Sequence, residues 1–268
     1  MSVSGAGLSR EKLRRFEERG LVKLDGLLPT RIAENMADRL WQELASKDGV
    51  QRSDRGTWRT EIAWGFQALR KNGAFAPMAT SELRGVLDDL LGEGRWSEPP
   101  NWGQPLVRFP GVAKRWDVPH QVWHLDLTPE PKRPGLVGRL FALLAPLRPQ
   151  GGATLVAAGS HRIAAAITER RGVHLSSQEM RRALAAEHAW FSELMSAAKP
   201  GEDRVQRFMG AANRVNGVEL QVEEMTGEPG DVFLMHPNTL HAPSANMLDT
   251  PRLALAETIY PKGWFGRA

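Results

Sequence analysis

Short segments of β-forming residues, separated by glycine- and proline-containing turns, fill the second half of this chain and constrain its fold most. We predict strands at residues 105–109, 122–127, 135–144, 154–157, 219–224, 231–235, 240–243 and 253–260. Many short strands with such turns are typical of a β-sandwich or β-barrel. The prediction is therefore a mainly β fold.

The first 95 residues have a helical pattern instead. Residues 9–19 are predicted to form an amphipathic helix that begins after Ser9 and ends at Gly20, followed by a brief strand at 21–24. Thr30 is predicted to cap a second helix, and residues 82–91 to form a third. We expect these helices to support the β core within a single domain of residues 1–268.

A second helical block interrupts the β series. Residues 177–198 carry apolar side chains at helical spacing, within an insertion predicted at about 161–215. A helix inserted into a β scaffold can act as a lid over a site or pack on the outside of the scaffold. The pattern leaves both interpretations open.

The composition narrows the chemistry. Hydrophobic residues make up 41% and charged residues 25%, as in a soluble globular protein. No apolar run reaches the roughly 18 residues of a membrane span, and no apolar leader is present, so we expect a cytoplasmic protein with no membrane partner. The absence of cysteine excludes disulfides, zinc ribbons, iron–sulfur clusters and cysteine nucleophiles. A metal site would have to use His, Asp and Glu.

The net charge of +4 raises the question of nucleic-acid binding. Basic residues are interleaved with acidic ones, as in REKLRRFEERG at residues 10–20, and no long basic run is present. This pattern favours a mixed solvated surface, and we expect no nucleic-acid partner.

The sharpest local motif is WHLD at residues 123–126. If this segment is a strand, His124 and Asp126 point to the same face and present an imidazole beside a carboxylate. A third ligand from another strand would complete a two-histidine, one-carboxylate face, which leaves three positions open and is typical of non-haem iron(II) oxygenases. The tripeptide His-x-Asp is a weak signal when it stands alone.

The C-terminal segment strengthens that signal. It contains two histidines, His236 and His241, and then Arg252 at the start of a predicted strand. Eleven residues separate His241 from Arg252, so a turn can return the arginine to the metal. A guanidinium offers a fixed fork of donors for a carboxylate, which a lysine would match less well.

Together these blocks resemble the phytanoyl-CoA dioxygenase family of oxygenases with a double-stranded β-helix. The blocks are WHLD, GGATLVAAGSH at 151–161, PGDVFLMHP at 229–237 and HAPSAN…PR at 241–252, and the N-terminal residues 8–29 also look like the family's opening helix and strand. The resemblance implies a mainly β fold with flanking helices around a jelly-roll, cupin-like core at residues 105–268.

The resemblance also implies a site. His124, Asp126 and His241 become the ligands of Fe(II), Arg252 the partner of the distal carboxylate of 2-oxoglutarate, and Thr154 a lesser candidate for the same cosubstrate. His236 is then a buried structural group or one that supports the ligands without binding the metal. Related halogenases have a small residue in place of Asp126, so its presence favours hydroxylation or desaturation by O2. Pro243 stands where a hydroxyl is sometimes found, and Ser244 is a candidate substitute.

The sequence leaves several questions open. Arg108, in a strand before WHLD, either points into the core as an anchor for an anionic substrate group or faces solvent. The substrate, expected to be a small molecule, and the oligomeric state are not encoded in a readable motif. A cupin-like metal-dependent isomerase or hydrolase, or a β-barrel that binds a small molecule without catalysis, are the alternative interpretations.

Overall fold

The computed structural model describes residues 7–113, 115–130 and 136–265. The N-terminal part is helical, with α1 at Arg10–Arg19, α2 at Thr30–Asp48, α3 at Gln67–Lys71 and α4 at Ser81–Leu91. The Ser9 hydroxyl accepts a hydrogen bond from the Lys12 backbone N–H at 3.2 Å, and Gly20 ends α1 in the left-handed conformation, both as predicted. The predicted Thr30 cap is wrong, because Thr30 is already helical and Pro29 occupies the cap position without a side-chain bond.

Within the described residues, ten strands form two antiparallel sheets. They are β1 (Leu21–Leu24), β2 (Ile62–Ala63), β3 (Gln104–Arg108), β4 (Gly138–Leu143), β5 (Thr154–Ala158), β6 (Asn213–Val215), β7 (Val218–Glu224), β8 (Val232–Met235), β9 (His241–Pro243) and β10 (Arg252–Ile259). The larger sheet has the order β1-β8-β4-β10-β3-β2, and the smaller one β6-β7-β5-β9.

In the part of the chain that the structure describes, three apolar clusters hold these layers together. The first joins the outer face of the larger sheet to the N-terminal helices, with Leu140 and Leu255 packed near Leu40 of α2. The second joins the outer face of the smaller sheet to the helical insertion, and the third, which includes Phe141 and Val156, lies between the sheets. Two facing antiparallel sheets with flanking helices confirm the predicted jelly-roll fold class.

The helical insertion consists of α5 (Ser160–Arg171), α6 (Ser177–Glu187) and α7 (Ala189–Leu194), followed by a short π-helical turn at Gln206–Gly210. The block predicted at 177–198 is therefore broken, because His188 adopts an extended conformation between α6 and α7. Its apolar residues Met180, Leu184 and Trp190 pack with Leu155 and Leu220 of the smaller sheet. These helices cover the outside of the core.

The predicted strand at 122–127 is wrong. Val122 has a positive φ of 40°, and the segment forms a single bridge, between His124 and His241, in place of a ladder. The alternation of burial nevertheless persists, since Trp123 and Leu125 are buried under the helical insertion while the residues between and after them are not. A pinned loop, and not a strand, carries the WHLD motif.

No helix within residues 7–113, 115–130 and 136–265 is long and apolar enough to cross a membrane.

Candidate metal centre

His124, Asp126 and His241 meet at one end of the space between the sheets. His124 and His241 exchange two backbone hydrogen bonds of 2.9 Å, so their rings lie side by side with centroids 4.2 Å apart. The Asp126 carboxylate lies 3.8 Å from Nε2 of His124 and 3.7 Å from Nε2 of His241. One ligand atom from each residue falls within 4.8 Å of the others.

The backbone fixes which ring nitrogen of each histidine is available. Nδ1 of His124 lies 3.0 Å from the carbonyl of Val122, and Nδ1 of His241 lies 3.0 Å from that of Thr239. A carbonyl only accepts hydrogen bonds, so Nδ1 of each neutral ring carries the proton and donates it. Both Nε2 lone pairs are thereby left facing Asp126, the arrangement usual for metal-binding histidines.

Burial keeps His241 in its neutral form. Its side chain is 5% exposed, against 46% for His124 and 24% for Asp126. Burial lowers the pKa of His241 to about 4, although the nearby Asp126 charge acts in the opposite direction. A neutral imidazole at ordinary pH is the form that binds a metal.

These donors fit a first-row transition ion. Two donors at about 2.1 Å from one ion can be at most about 4.2 Å apart; the separations of 3.8 Å to Oδ1 and 3.7 Å to Oδ2 of Asp126 are within that limit, and one ligand atom from each of the three residues lies within 4.8 Å of the others. Two imidazoles and one carboxylate, with no thiolate, are the donor set of a non-haem iron(II) site.

Arg139 is a site residue that the sequence analysis missed. Its Nε lies 2.8 Å from Oδ2 of Asp126 as an ion pair, and its Nη1 donates a hydrogen bond of 2.7 Å to the Thr258 hydroxyl. The guanidinium also lies over the Phe141 ring. Arg139 therefore holds the Asp126 carboxylate in place. The alternation of β4 was the available signal, since Arg139 shares its face with Phe141 and Leu143.

The ligands open into a cavity of about 250 Å³ between the sheets. All the predicted cosubstrate and substrate residues line it together with the metal ligands. Its lining residues are Ile62, Ala63, Trp64, Pro105, Leu106, Val107, Arg108, His124, Asp126, Arg139, Phe141, Thr154, His241, Pro243 and Arg252.

Arg252 is buried in this cavity, with a relative exposure of 8%. Nη1 donates a hydrogen bond of 2.8 Å to the carbonyl of Gly152, whereas Nε has no hydrogen-bond partner among the described residues. Burial, and secondarily the charge of Arg108, lowers the pKa of Arg252 to about 10, so the group remains a cation at neutral pH. A buried cation with an unused donor favours an anionic ligand.

Thr154 and Arg108 approach the cavity from opposite sheets. Thr154 lies on β5, where its backbone pairs with Pro243, two residues after the candidate metal ligand His241. Arg108 lies on β3 directly across from Arg252 of β10. Its side chain is 13% exposed and lines the cavity, so the inward orientation left open by the sequence is the one present.

The remaining candidates lie away from the metal ligands. His236 and His161 stack on each other with centroids 4.8 Å apart, and the His161 ring contacts the Glu17 carbonyl at 2.9 Å. Burial lowers the pKa of His236 to about 3 and that of His161 to about 4, so both are neutral structural groups. The Ser244 hydroxyl donates to the Ala153 carbonyl at 2.9 Å and does not line the cavity.

Comparisons with known proteins bear on the sequence family and on the fold. A sequence model of the phytanoyl-CoA dioxygenase (PhyH) family matches residues 16–254. No curated protein matches the chain by sequence.

Solved structures share the fold over almost the whole chain. HygX from Streptomyces hygroscopicus, with nickel and 2-oxoglutarate bound, is 16% identical with a TM-score of 0.54, covering 96% of this chain and 88% of HygX. The epimerase SnoN, in complex with Fe3+, α-ketoglutarate and nogalamycin RO, is 18% identical with a TM-score of 0.53, covering 93% and 82%. The carbocyclase SnoK from nogalamycin biosynthesis is 20% identical with a TM-score of 0.53, covering 95% and 84%.

Proposed function

Because this chain belongs to the phytanoyl-CoA dioxygenase family, we propose that it is a non-haem iron(II) and 2-oxoglutarate-dependent oxygenase acting on a small molecule. The observation that carries the proposal is the meeting, in one cavity, of a His-Asp-His ligand set and a buried arginine with an unused donor. Neither feature alone distinguishes this activity from other metal chemistry, but the pair matches a metal-chelating dicarboxylate.

His124, Asp126 and His241 would hold the metal. Their Nε2 atoms and carboxylate face one point, and the hydrogen bonds at both Nδ1 atoms keep the rings oriented before any ion arrives. Three protein ligands leave three positions open, enough for a chelating cosubstrate and O2. When bound, Fe(II) with 2-oxoglutarate and O2 supplies an oxidant able to attack an unactivated C–H bond.

Arg252 would bind the distal carboxylate of 2-oxoglutarate. Its fork of donors matches a carboxylate. Because Arg252 is buried, little water would compete with an ion pair between its guanidinium and that carboxylate, which strengthens the pair. The Thr154 hydroxyl lines the same cavity and would donate to the same carboxylate. Arg252 thus orients the cosubstrate so that its other end reaches the metal ligands.

Hydroxylation is the reaction we expect, with desaturation as the second outcome of the same hydrogen abstraction. Asp126 would supply a protein ligand at the position that a halide would need on the metal, which disfavours halogenation. The structural neighbours include an epimerase and a carbocyclase of nogalamycin biosynthesis. They favour a substrate from secondary metabolism.

Succinate formation tests the proposal. The purified chain, incubated in air with ferrous iron and 2-oxoglutarate, should release succinate, and His124→Ala should not. Arg252→Gln should retain metal binding but require much more 2-oxoglutarate, because one charge-assisted contact contributes about 1.5–3 kcal/mol, or roughly 10- to 150-fold in affinity.

Two outcomes would support the alternatives. Zinc- or manganese-dependent turnover without 2-oxoglutarate consumption would indicate a cupin-like isomerase or hydrolase. Unchanged metal content in His124→Ala, with no turnover in any metal, would indicate a binding protein without catalysis. Either result would refute the oxygenase assignment.

A further inference from the structure

The inner face of the larger sheet carries three arginines around the cavity. Arg108, Arg139 and Arg252 lie on β3, β4 and β10, and each shares its face with apolar residues of the cluster between the sheets, such as Leu106, Phe141 and Ala254. A sheet face directed into the core normally excludes charged side chains. Three guanidiniums at one end of this face therefore require a reason.

Two of these arginines already have a role. Arg139 is paired with Asp126 and bonded to Thr258, and Arg252 donates to the Gly152 carbonyl and faces the proposed cosubstrate position. Arg108 has no comparable partner in the part of the chain that the structure describes. Its Nη1 lies 3.9 Å from the Glu61 carboxylate, beyond hydrogen-bond distance, and its Nε is buried with no hydrogen-bond partner among the described residues.

The position of Arg108 is unfavourable in the protein alone. Its backbone is the direct cross-strand partner of Arg252, and like charges directly opposite on one face are destabilising. Burial lowers the pKa of Arg108, and the charge of Arg108 lowers that of Arg252. Replacing Arg108 by an apolar residue would remove both the burial of its charge and its repulsion of Arg252. This indicates that Arg108 serves a ligand.

The charge of the cavity favours an anion there. Among its described lining residues, three guanidiniums face a single carboxylate, Asp126. A divalent metal adds two positive charges and 2-oxoglutarate removes two, so a positive surplus remains beside Arg108 once the cosubstrate is bound. Glu61, at the rim with a side chain 48% exposed, offsets it only weakly.

The small volume of the cavity places the substrate at the rim where Glu61 lies. Its 250 Å³ is below the roughly 300–1,000 Å³ of typical ligand pockets, and the cosubstrate takes part of it. A substrate must therefore extend past the opening, where Trp64 lines the cavity yet is 68% exposed. Such an aromatic side chain offers an apolar surface for the body of a substrate whose charged group reaches Arg108.

We propose that Arg108 binds an anionic group of the substrate, a carboxylate, sulfonate or phosphate, at a subsite separate from the cosubstrate position at Arg252. This inference rests on the proposed function, because it takes Arg252 to be engaged by 2-oxoglutarate. It narrows the substrate class to anionic small molecules.

Ligand-observed saturation-transfer NMR on the protein loaded with Zn(II) and 2-oxoglutarate tests the subsite without turnover. The probes are hexanoate, benzoate and phenyl phosphate, with hexanamide, benzamide and phenol as matched neutral analogues. At least one anion should bind at millimolar concentration and its neutral analogue should not. Arg108→Gln should weaken that anion by roughly tenfold or more, and Arg108→Lys should restore part of it.

Arg148 provides the matched control. It is an exposed arginine paired with Glu228 outside the cavity, so Arg148→Gln should leave anion binding unchanged. Arg108→Met should keep or raise the melting temperature, a result that a purely structural arginine would not give. The 2-oxoglutarate affinity of Arg108→Gln should stay within about threefold of the wild type, since charge at a distance contributes modestly.

Several results would overturn the subsite. They are equal binding of acid and neutral analogue, no binding by any anion of the panel, undiminished binding in Arg108→Gln, strong destabilisation of Arg108→Met, or a loss of 2-oxoglutarate affinity as large as that in Arg252→Gln. Failure of the wild type to bind metal or 2-oxoglutarate would instead refute the proposed function, so the two failures are distinguishable.

Discussion

Single residues in the glycine-rich segment before β5 explain how two arginines fit at one end of the cavity. The Gly152 carbonyl accepts the hydrogen bond from Arg252, and Gly152 has a φ of +81°. A Cβ at this position would lie 2.9 Å from Cδ of Arg108 and 2.9 Å from Cβ of Asn246. The motif therefore provides a carbonyl for one arginine and space for the other.

Gly152→Ala should destabilise the protein more than Gly217→Ala. Gly217 has nearly the same φ, +79°, but its Cβ would meet nothing within 4 Å, so it isolates the backbone strain of about 1–3 kcal/mol. Gly152→Ala adds close contacts with Arg108 and Asn246, so the Gly152 carbonyl that holds Arg252 has to shift. Urea unfolding of both variants measures the difference, and calorimetry should show weaker 2-oxoglutarate binding only in Gly152→Ala. Equal unfolding free energies would contradict this account of the motif.

Residue identities differ in how far the sequence reveals them. WHLD indicated two ligands because residues two positions apart in an extended segment face the same side, and this alternation holds even in a loop. Choosing His241 over His236 depended on the family resemblance, since both follow the same strand. The alternation of β4 indicates only that Arg139 faces the core; its role comes from the ion pair with Asp126, which local spacing does not reveal.

At the scale of elements, the helical insertion supports the loop that carries the WHLD motif from the outer side of the core. Arg204, 1% exposed, donates hydrogen bonds to five backbone carbonyls. They belong to Val118 and Pro119 before the WHLD motif and to Glu193, Leu194 and Ser196 at the end of α7. In addition, the Leu125 N–H donates to the Ser177 hydroxyl at the start of α6. The insertion and the loop are thus one packed unit.

Arg204→Met should lower the free energy of unfolding by about 3 kcal/mol or more, because several buried carbonyls lose their donor. Arg207→Met is the control. Like Arg204, Arg207 lies over the Phe208 ring. Because Arg207 is partly exposed and pairs with Glu193, its replacement should cost less than about 1 kcal/mol. Denaturant unfolding followed by tryptophan fluorescence measures the free energy of unfolding of both variants. Similar losses in the two variants would argue against this role of Arg204.

Elements were predicted well where alternation and turns coincide. Most predicted strands begin and end within a few residues of the observed ones, since Gly and Pro mark the turns between buried strands. The prediction of a strand at 122–127 failed because the apolar residues of this segment pack under the helical insertion and form no ladder. Helix α5 was not assigned an element of its own, since its small residues give a weak amphipathic signal.

At the scale of the whole molecule, the Glu224 carboxyl makes a contribution to stability that falls as the pH rises toward neutrality, opposite in sign to the contribution of the buried histidines His161, His236 and His241, whose pKa values are lowered. Burial raises the pKa of this carboxyl, at the end of β7, to about 7. The folded protein then binds a proton that the unfolded chain releases near its ordinary pKa of 4.5. Folding is therefore favoured below that value, and this contribution is lost as the pH rises to about 7.

Glu224→Gln should accordingly raise the melting temperature at about pH 8 and have little effect at about pH 5. Its amide oxygen can still accept the Gln150 N–H that Glu224 accepts at 2.8 Å. Glu223→Gln, at the adjacent position, should give no such gain, because Glu223 pairs with Arg15 and Arg19. Scanning calorimetry across pH decides, and an equal gain at both pH values would refute the assignment to Glu224.

The central claim concerns the whole site, in which one metal and one cosubstrate share the space between the sheets. The most direct measurement is anomalous diffraction at the iron edge from anaerobic crystals of the protein with Fe(II) and 2-oxoglutarate. We predict one iron bonded to Nε2 of His124, the Asp126 carboxylate and Nε2 of His241, with the distal carboxylate of 2-oxoglutarate against Arg252. Iron at another position, such as the His161–His236 pair, or a carboxylate remote from Arg252, would contradict the account.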